Sequence, residues 1–201
     1  TAPDAEELSL DQISMLSTNP RTGISDRLGE TRVRYIRGES IDYFRERDSA
    51  LGDIVHSSPQ FVGAPSNFYP DIWGESEPEN DVAYSAFAID HKARRRVVYV
   101  GANDGMLHAF DAGSSTDGVY SVGTGDELFA YVPAEVVENL PALTNPRYSH
   151  EFYVDGTPQI GDAFSGTAWH TVLVGGLRAG GQGVYALDIT NPDSIDESTA
   201  A

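Results

Sequence analysis

Four carboxylates close together in the sequence are the side chains best suited to chemistry. They flank a loop rich in glycine and serine, and they are Asp111, Asp117, Asp126 and Glu127. Carboxylate oxygens are the ligands that hard cations such as Ca2+ prefer, so this spacing is compatible with a cation site. The alternative is a solvated loop that ends in a β-strand. No stretch has the spacing D-x-[DN]-x-[DN]-G-x5-E, so the sequence offers no EF-hand loop.

The other reactive side chains do not form a catalytic or cofactor motif. Ser57 and Ser58 lack the G-x-S-x-G context of a hydrolase nucleophile, and there is no G-K-[ST] phosphate loop. The five histidines show no spacing typical of a metal site. The stretch from Gly181 to Ala186 fits a loose dinucleotide fingerprint, but it continues as an alternating strand instead of opening a helix. We therefore predict no catalytic residue, no cofactor and no metal site beyond the four carboxylates.

The charge of the chain argues against two large classes of partner. Its 201 residues include 31 acidic and 13 basic side chains, which gives a formal net charge of -18. A field of that sign repels nucleic acid and anionic membrane surfaces. No apolar run reaches the roughly 18 residues that a membrane span requires. The absence of cysteine excludes disulfides, thiolate metal ligands and a cysteine nucleophile.

The element expected to position these carboxylates is a β-hairpin near the middle of the chain. Val97–Val100 is a run of β-branched and aromatic residues, and a second alternating run follows a few residues later. The turn between them is Asn103, Asp104 and Gly105, because Asp-Gly tolerates the positive φ angles of a tight turn. Asp104 could instead be a metal ligand, but turn chemistry is the simpler interpretation.

The segments around the hairpin predict helices, a loop and further strands. Residues 4–16 and 31–37 have helical spacing of apolar residues. Arginines concentrate in the first 50 residues, where they either neutralise an acidic molecule or form an anion-binding strip. Residues 63–80 predict an inserted surface loop whose aromatic residues anchor it or form an adhesive patch. We also predict strands over 53–62, 82–89 and 126–132, a loop over 113–125 and a short helix over 133–140.

Two stretches of the chain repeat one pattern. Each has a strand that contains Pro-Gln, at Pro59 and Pro158, and then a strand that ends in glycine, at Gly101 and Gly175. In both copies a further strand ends in Ala-x-Asp, and in the second copy this strand begins at Gly183. Repeats of several short antiparallel strands are typical of a β-propeller.

We therefore predict an all-β fold that is part of a modified β-propeller. It would contain about two quinoprotein-like blades, with short N-terminal and inserted helices. The predicted organisation is a helical or irregular segment over 1–50, incomplete propeller blades over 51–192 and a tail over 193–201. A propeller needs roughly four to eight blades to close. Remaining propeller segments, or another chain, are therefore expected to cover the open edges.

Several blocks of the sequence are similar to one known family. They are RYIRGES (34–40), FRERDSALGDIVHSSPQFVG (44–63), VVYVGANDGMLHAFDA (97–112), ELFAYVPAEV (127–136), YSHEFYVDGTPQIGDAF (148–164) and WHTVLVGGLRAGGQGVYALDITNP (169–192). In order and spacing they resemble the C-terminal propeller domain of PilY1-type adhesins of type IV pili. The central hairpin pattern also occurs in quinoprotein propellers, but the full set is specific, above all the glycine-rich last block.

The resemblance implies a modified β-propeller at the cell surface or pilus tip, exported through the periplasm. It implies roles in pilus biogenesis, attachment and twitching motility through protein–protein contacts and without catalysis. The implied partners are pilin subunits or minor pilins and a host or abiotic surface. Members of that family carry an aspartate-rich calcium loop further along the domain than this sequence reaches. The resemblance therefore implies calcium for full-length members and assigns no calcium ligand here.

A quinoprotein dehydrogenase is the alternative function. Enzymes that use pyrroloquinoline quinone have propellers with similar hairpins, and they hold the planar quinone with calcium in the central channel. They resemble one another in repeated tryptophan-containing blade motifs and often in an adjacent cysteine pair. This chain has only Trp73 and Trp169 and no cysteine, which favours the adhesin.

Overall fold

The structure is a computed structural model that describes residues 8–116 and 119–195. Most of its regular structure is antiparallel β-sheet. The strands are β1 (Gln60–Val62), β2 (Val97–Gly101), β3 (Leu107–Asp111), β4 (Gly113–Thr116), β5 (Val119–Val122), β6 (Glu127–Tyr131), β7 (Gln159–Ser165), β8 (Ala168–Gly176) and β9 (Val184–Asp188). The α-helices are α1 (Leu10–Leu16), α2 (Gly29–Ile36) and α3 (Tyr84–Asp90). Short 3-10 helices lie at Pro78–Asp81, Ala134–Val136, Leu140–Thr144, Arg178–Gly180 and Pro192–Ser194.

The strands form two blade-like sheets and one hairpin. The first sheet has the order β1-β2-β3-β6, and the second has the order β7-β8-β9. The remaining strands, β4 and β5, pair only with each other as a two-stranded hairpin. Each blade-like sheet is an up-and-down meander, which is the arrangement of strands within a propeller blade. Neither sheet closes on itself among the described residues.

One hydrophobic core joins both sheets to the N-terminal helices. Tyr99 and Leu107 of the first sheet, Leu173 of the second and Tyr35 of α2 are all fully buried in it. Helix α1 begins with a capping box, because Ser9 and Gln12 each accept a hydrogen bond from the other's backbone N–H. Both predicted N-terminal helices are present, although each is bounded differently from the prediction. The predicted domain boundary at residue 50 stays a prediction.

Three local predictions were wrong. Residues 84–90 form helix α3 and not a strand, because Tyr84 and Phe87 lie on one helix face and pack together against Trp169. Only the last three residues of the strand predicted over 53–62 are in a sheet. The loop predicted over 113–125 contains the hairpin of β4 and β5.

The backbone pairing also shifts the repeat by one residue. Gln60 pairs with Tyr99 in the first sheet, whereas the repeat-equivalent Gln159 pairs with Val174 in the second. The glycine that corresponds to Gly101 is therefore Gly176, and not Gly175 as the sequence pattern suggested. The alignment of VYVG with VLVG fails because β8 carries two consecutive glycines at its end.

Candidate functional site

The candidate carboxylates do not converge on one point. Glu127 lies opposite Phe110 in the ladder of β3 and β6. Asp111 follows Phe110 in β3, so its side chain is on the other face of the sheet. The side chain of Asp126 is exposed, and Asp117 lies outside the described residues. Within the described parts of the chain, no group of three or more His, Asp or Glu residues could hold a metal ion.

Asp111 closes the loop that precedes β6. Its Oδ2 accepts hydrogen bonds from the backbone N–H and the hydroxyl of Thr124, at 2.8 and 3.2 Å. Its Oδ1 accepts from Arg95 at 3.0 Å and from the backbone N–H of Gly113 at 3.2 Å. The bond from the Thr124 backbone is the largest of the effects that lower the pKa of Asp111 to about 2. Because both oxygens already have two donors, this carboxylate stabilises the loop and has little capacity left for a cation.

The predicted turn is present and is bonded to its surroundings. Gly105 has φ of +97°, and a Cβ there would lie 2.3 Å from Leu140, so a larger residue would be strained on both counts. Asp104 accepts from the backbone N–H groups of Met106 and Gly52, at 3.2 and 2.6 Å. Asn103 accepts from the backbone N–H of Tyr153 at 3.1 Å. The turn therefore joins segments that are about fifty residues away on either side.

His108 is buried between two carboxylates, and the sequence analysis did not single it out. Its Nε2 is 3.1 Å from both oxygens of Asp104, and its Nδ1 is 2.5 Å from Glu127 Oε1. Burial opposes protonation, but the hydrogen bonds to the carboxylates outweigh it and raise the pKa of His108 to about 9. The imidazolium donates from both nitrogens at neutral pH. It therefore offers no lone pair for a metal or for general base catalysis.

A half-open cavity of about 660 Å3 lies beside this cluster. Its lining includes Leu16 of α1, Ile36 of α2, and His108 and Phe129 of the first sheet. The lining is predominantly apolar, and Glu127 is half exposed at its wall. A cavity with this lining suits apolar groups better than a highly charged cofactor.

The two repeats touch each other at equivalent positions. The backbone N–H of Ser58, just before Pro59, donates to Thr157 Oγ1, just before Pro158, at 2.9 Å. Two residues earlier in the first copy, His56 Nδ1 is 2.7 Å from Oδ2 of Asp155. Contacts between equivalent positions are expected where successive blades meet around a common axis.

Asp155 is a buried polar residue that the sequence analysis missed. Its side chain is fully buried, and Arg178 Nη1 donates to the same Oδ2 at 3.2 Å. Its Oδ1 has no hydrogen-bond partner among the described residues. The spacing of 99 residues between His56 and Asp155, equal to the spacing between Pro59 and Pro158, was the available signal.

Gly175 and Gly183 shape the edge of the second sheet. Gly175 lies opposite Tyr185, and a Cβ at Gly175 would lie 2.1 Å from the Tyr185 ring. Gly183 accepts a hydrogen bond from the backbone N–H of Leu177 at 3.1 Å just before β9. Both glycines therefore serve strand packing and the connection into β9, and neither opens a nucleotide-binding helix.

Aromatic side chains of the inserted segment pack against the second sheet. Tyr69 stacks on Trp169 with ring centroids 5.1 Å apart, and Trp73 lies 6.1 Å from the same ring. The Trp169 indole N–H donates to the carbonyl of Val82 at 2.8 Å. The Tyr84 hydroxyl donates to Oδ2 of the buried Asp162 at 2.5 Å. These contacts support the interpretation of Tyr69 and Trp73 as anchors, whereas Phe68, the third aromatic residue of the segment, is fully exposed.

Several arginines of the first 50 residues make local contacts. Arg32 is buried, with two hydrogen bonds to Asp26, at 2.8 and 2.6 Å, and another to the carbonyl of Leu16 at 2.8 Å. Arg45 and Arg47 lie over the rings of Tyr148 and Tyr35. These contacts favour a structural role over an anion-binding strip.

A model of a known protein family matches most of the chain. The profile described as the PilY1 beta-propeller domain matches residues 51–200. In addition, no helix among the described residues is long and apolar enough to cross a membrane.

Two curated relatives come from different organisms. The type IV pilus biogenesis factor PilY1 of Pseudomonas aeruginosa strain PAO1 is 47% identical over 196 residues, covering 94% of this chain and 16% of that protein. A type IV pilus biogenesis factor PilY1 homolog of Xylella fastidiosa strain Temecula1 is 40% identical over 171 residues, covering 82% of this chain and 13% of that protein. The chain therefore spans less than a fifth of the length of these relatives.

A solved structure is also similar. The match to the crystal structure of the Pseudomonas aeruginosa PilY1 C-terminal domain has 43% sequence identity and a TM-score of 0.46. It covers 66% of this chain and 23% of that chain.

Proposed function

The chain belongs to the PilY1 β-propeller domain family, and we therefore propose that it is part of a type IV pilus biogenesis factor. Family membership confirms the resemblance and the partial propeller fold predicted from the sequence. The observation that carries the proposal is the 47% identity over 94% of the chain to a protein named as such a factor. Attachment and twitching motility are the finer roles that we propose for the whole protein at the pilus tip or cell surface.

We propose that the protein acts through protein–protein contacts and without catalysis. The relatives are named as biogenesis factors and not as enzymes. Among the histidines of the described residues, His108 has the most strongly shifted pKa, and both of its nitrogens are hydrogen-bonded to carboxylates. We further propose that Asp111, Asp126 and Glu127 hold no calcium, because Asp111 and Glu127 lie on opposite faces of the sheet. Calorimetric heat on addition of calcium to this chain, lost in Asp111→Asn, would contradict this.

The partners that we propose include the rest of the same propeller. On the second sheet, Val174 of β8 and Val184 of β9 are 42% and 70% exposed. They lie on one face, since Val174 pairs with Ala186 and Val184 with Gly176. In a propeller, such a face packs against the neighbouring blade. Pilin subunits or minor pilins, and a host or abiotic surface, are the further partners.

The test is complementation with the full-length protein. A type IV-piliated strain that lacks its own copy of this gene should regain surface pilin and twitching when the full-length protein is restored. Full-length protein with Val174→Asp and Val184→Asp should restore neither, while Val122→Asp, on the separate β4–β5 hairpin, should restore both. Normal piliation and twitching in the strain without the gene would overturn the proposed function.

A further inference from the structure

Hydrogen bonds hold the inserted segment where it contacts the second sheet. Asn80 closes its turn, because its Oδ1 accepts from the backbone N–H of Trp73 at 2.6 Å and its Nδ2 donates to the carbonyl of Gly74 at 2.9 Å. Asp71 Oδ1 accepts from the backbone N–H of Ser85 at 2.8 Å, at the start of α3. Together with the stacking of Tyr69 on Trp169 and the contact between the rings of Trp73 and Trp169, these bonds anchor the loop.

Two large apolar side chains of the same loop face solvent. Phe68 is 102% exposed and Ile72 is 81% exposed, and we call this pair the insert tip. Each precedes an anchoring residue by one position: Tyr69 and Trp73 contact Trp169 of the second sheet, whereas both residues of the insert tip are exposed. An exposed aromatic ring on an anchored loop buries a large apolar area when a partner covers it. It is the kind of group that forms the centre of a protein contact.

The charged side chains of the loop that carries the insert tip are all acidic, and we call them the acidic rim. Residues 64–81 hold five acidic side chains and no lysine or arginine: Asp71, Glu75, Glu77, Glu79 and Asp81. An anionic membrane or a nucleic acid would be repelled by this rim. A complementary surface has an apolar centre and lysine or arginine at its edge.

We propose that the insert tip docks into an apolar pocket rimmed by basic residues on a protein of the pilus. Phe68 and Ile72 fill the pocket, and the acidic rim steers and orients the encounter. Because the loop is already ordered by its anchors, little conformational entropy is lost when it binds. This inference rests on the proposed function for the identity of the partner, and on the loop itself for the chemistry of the contact.

The test measures binding of the full-length protein to purified pilin, to purified minor pilins and to sheared pili. We expect Phe68→Ala with Ile72→Ala to weaken binding to one of these at least tenfold. Glu75→Gln with Glu77→Gln should weaken it less and flatten its dependence on salt. Val122→Ala is the matched control, because Val122 is 96% exposed and lies outside the insert. It should bind as the unmodified protein does.

Other occupants of the insert tip would each give a distinct result. Binding to vesicles of phosphatidylcholine and phosphatidylglycerol that requires Phe68 would overturn the proposal in favour of a membrane. Self-association in sedimentation that requires Phe68 would point to a second copy. Protection of Phe68 from hydroxyl-radical labelling in the free full-length protein would show that the protein itself covers it.

The piliation assay separates this inference from the proposed function. If the full-length protein restores pili but binds none of the three probes, or binds them equally with and without the insert tip, the inference fails and the function stands. If the protein is not needed for piliation or twitching, the proposed function fails first. Circular dichroism of the double variant should match that of the unmodified protein, since neither side chain is packed.

Discussion

Two buried carboxylates, one in the turn between β2 and β3 and one in β7 of the second sheet, accept hydrogen bonds from different kinds of donor. Asp104, 4% exposed, lies 3.1 Å from the protonated ring of His108, which also contacts Glu127. Asp162, 7% exposed, accepts from three neutral donors among the described residues: the hydroxyl of Tyr84 at 2.5 Å, the amide of Asn67 at 2.9 Å and the hydroxyl of Thr171 at 2.6 Å.

This difference predicts which change should lower the stability of each region. In the first sheet, the charge of His108, which is lost as pH rises through about 9, holds a turn to the outer strand. In the second sheet, the donors keep their protons at neutral pH, and burial together with Asp162 raises the pKa of Tyr84 to about 12. The first region should therefore respond to pH and the second to loss of aromatic packing.

The largest expected effect is the loss of the aromatic anchor. Trp169→Ala removes a buried indole that contacts the insert and donates to the carbonyl of Val82. We expect the free energy of unfolding to fall by roughly 3–5 kcal/mol, the usual cost of a large aromatic truncation. Urea unfolding followed by circular dichroism measures it. A change below about 1 kcal/mol would show that the insert is not anchored as described.

The second effect is a loss of stability in the first sheet with rising pH. The folded pKa of His108 lies above its ordinary value of 6.5, so its stabilisation is complete below pH 6.5 and is lost as pH rises through about 9. We expect the free energy of unfolding to fall by about 3 kcal/mol over this interval.

Matched histidine variants sharpen this prediction. His108→Gln should remove most of the pH dependence between 6.5 and 9. His170→Gln should leave it, because the contact of His170 with Asp188 at 2.7 Å is partly exposed and contributes little. If the free energy of unfolding fell equally with pH in the unmodified protein and in His108→Gln, the buried charge pair would be contradicted.

A smaller effect is expected when one neutral donor is removed from the second sheet. Tyr84→Phe keeps the ring but leaves Oδ2 of Asp162 without the hydroxyl. We expect a loss of about 1–2 kcal/mol that is constant from pH 6 to 9. The same urea titrations at several pH values check it, and a loss that varied steeply over this range would erase the contrast between the two regions.

The smallest effect concerns the outward side of the insert. Phe68→Ala should change the free energy of unfolding by less than about 0.5 kcal/mol, because the ring is fully exposed. Comparing the melting temperatures of Phe68→Ala and Trp169→Ala distinguishes an exposed aromatic residue from one that anchors the insert. A large loss in Phe68→Ala would mean that this ring is packed.

The sequence predicted the hairpin and its turn because their signals are local. Val97–Val100 has a strand's composition, and Asn103, Asp104 and Gly105 carry the chemistry of a tight turn. The strand prediction over 82–89 was wrong because the pattern of this stretch fits either a strand or a helix when its packing partner is unknown. The face that meets Trp169, which lies about eighty residues away, decides in favour of the helix. The candidate carboxylates failed to converge for a similar reason, since neighbouring residues of a strand point to opposite faces.

The sequence by itself determined the class of fold, the repeat and the family, because these depend on composition, on short-range turn chemistry and on the order of recurring blocks. Only the tertiary structure decided that His108 joins Asp104 to Glu127, that Asp155 meets His56, and which aromatic residues of the insert face inward. These are contacts across β-ladders and between segments as much as 99 residues apart, and their geometry depends on register and facing, which spacing along the chain does not specify.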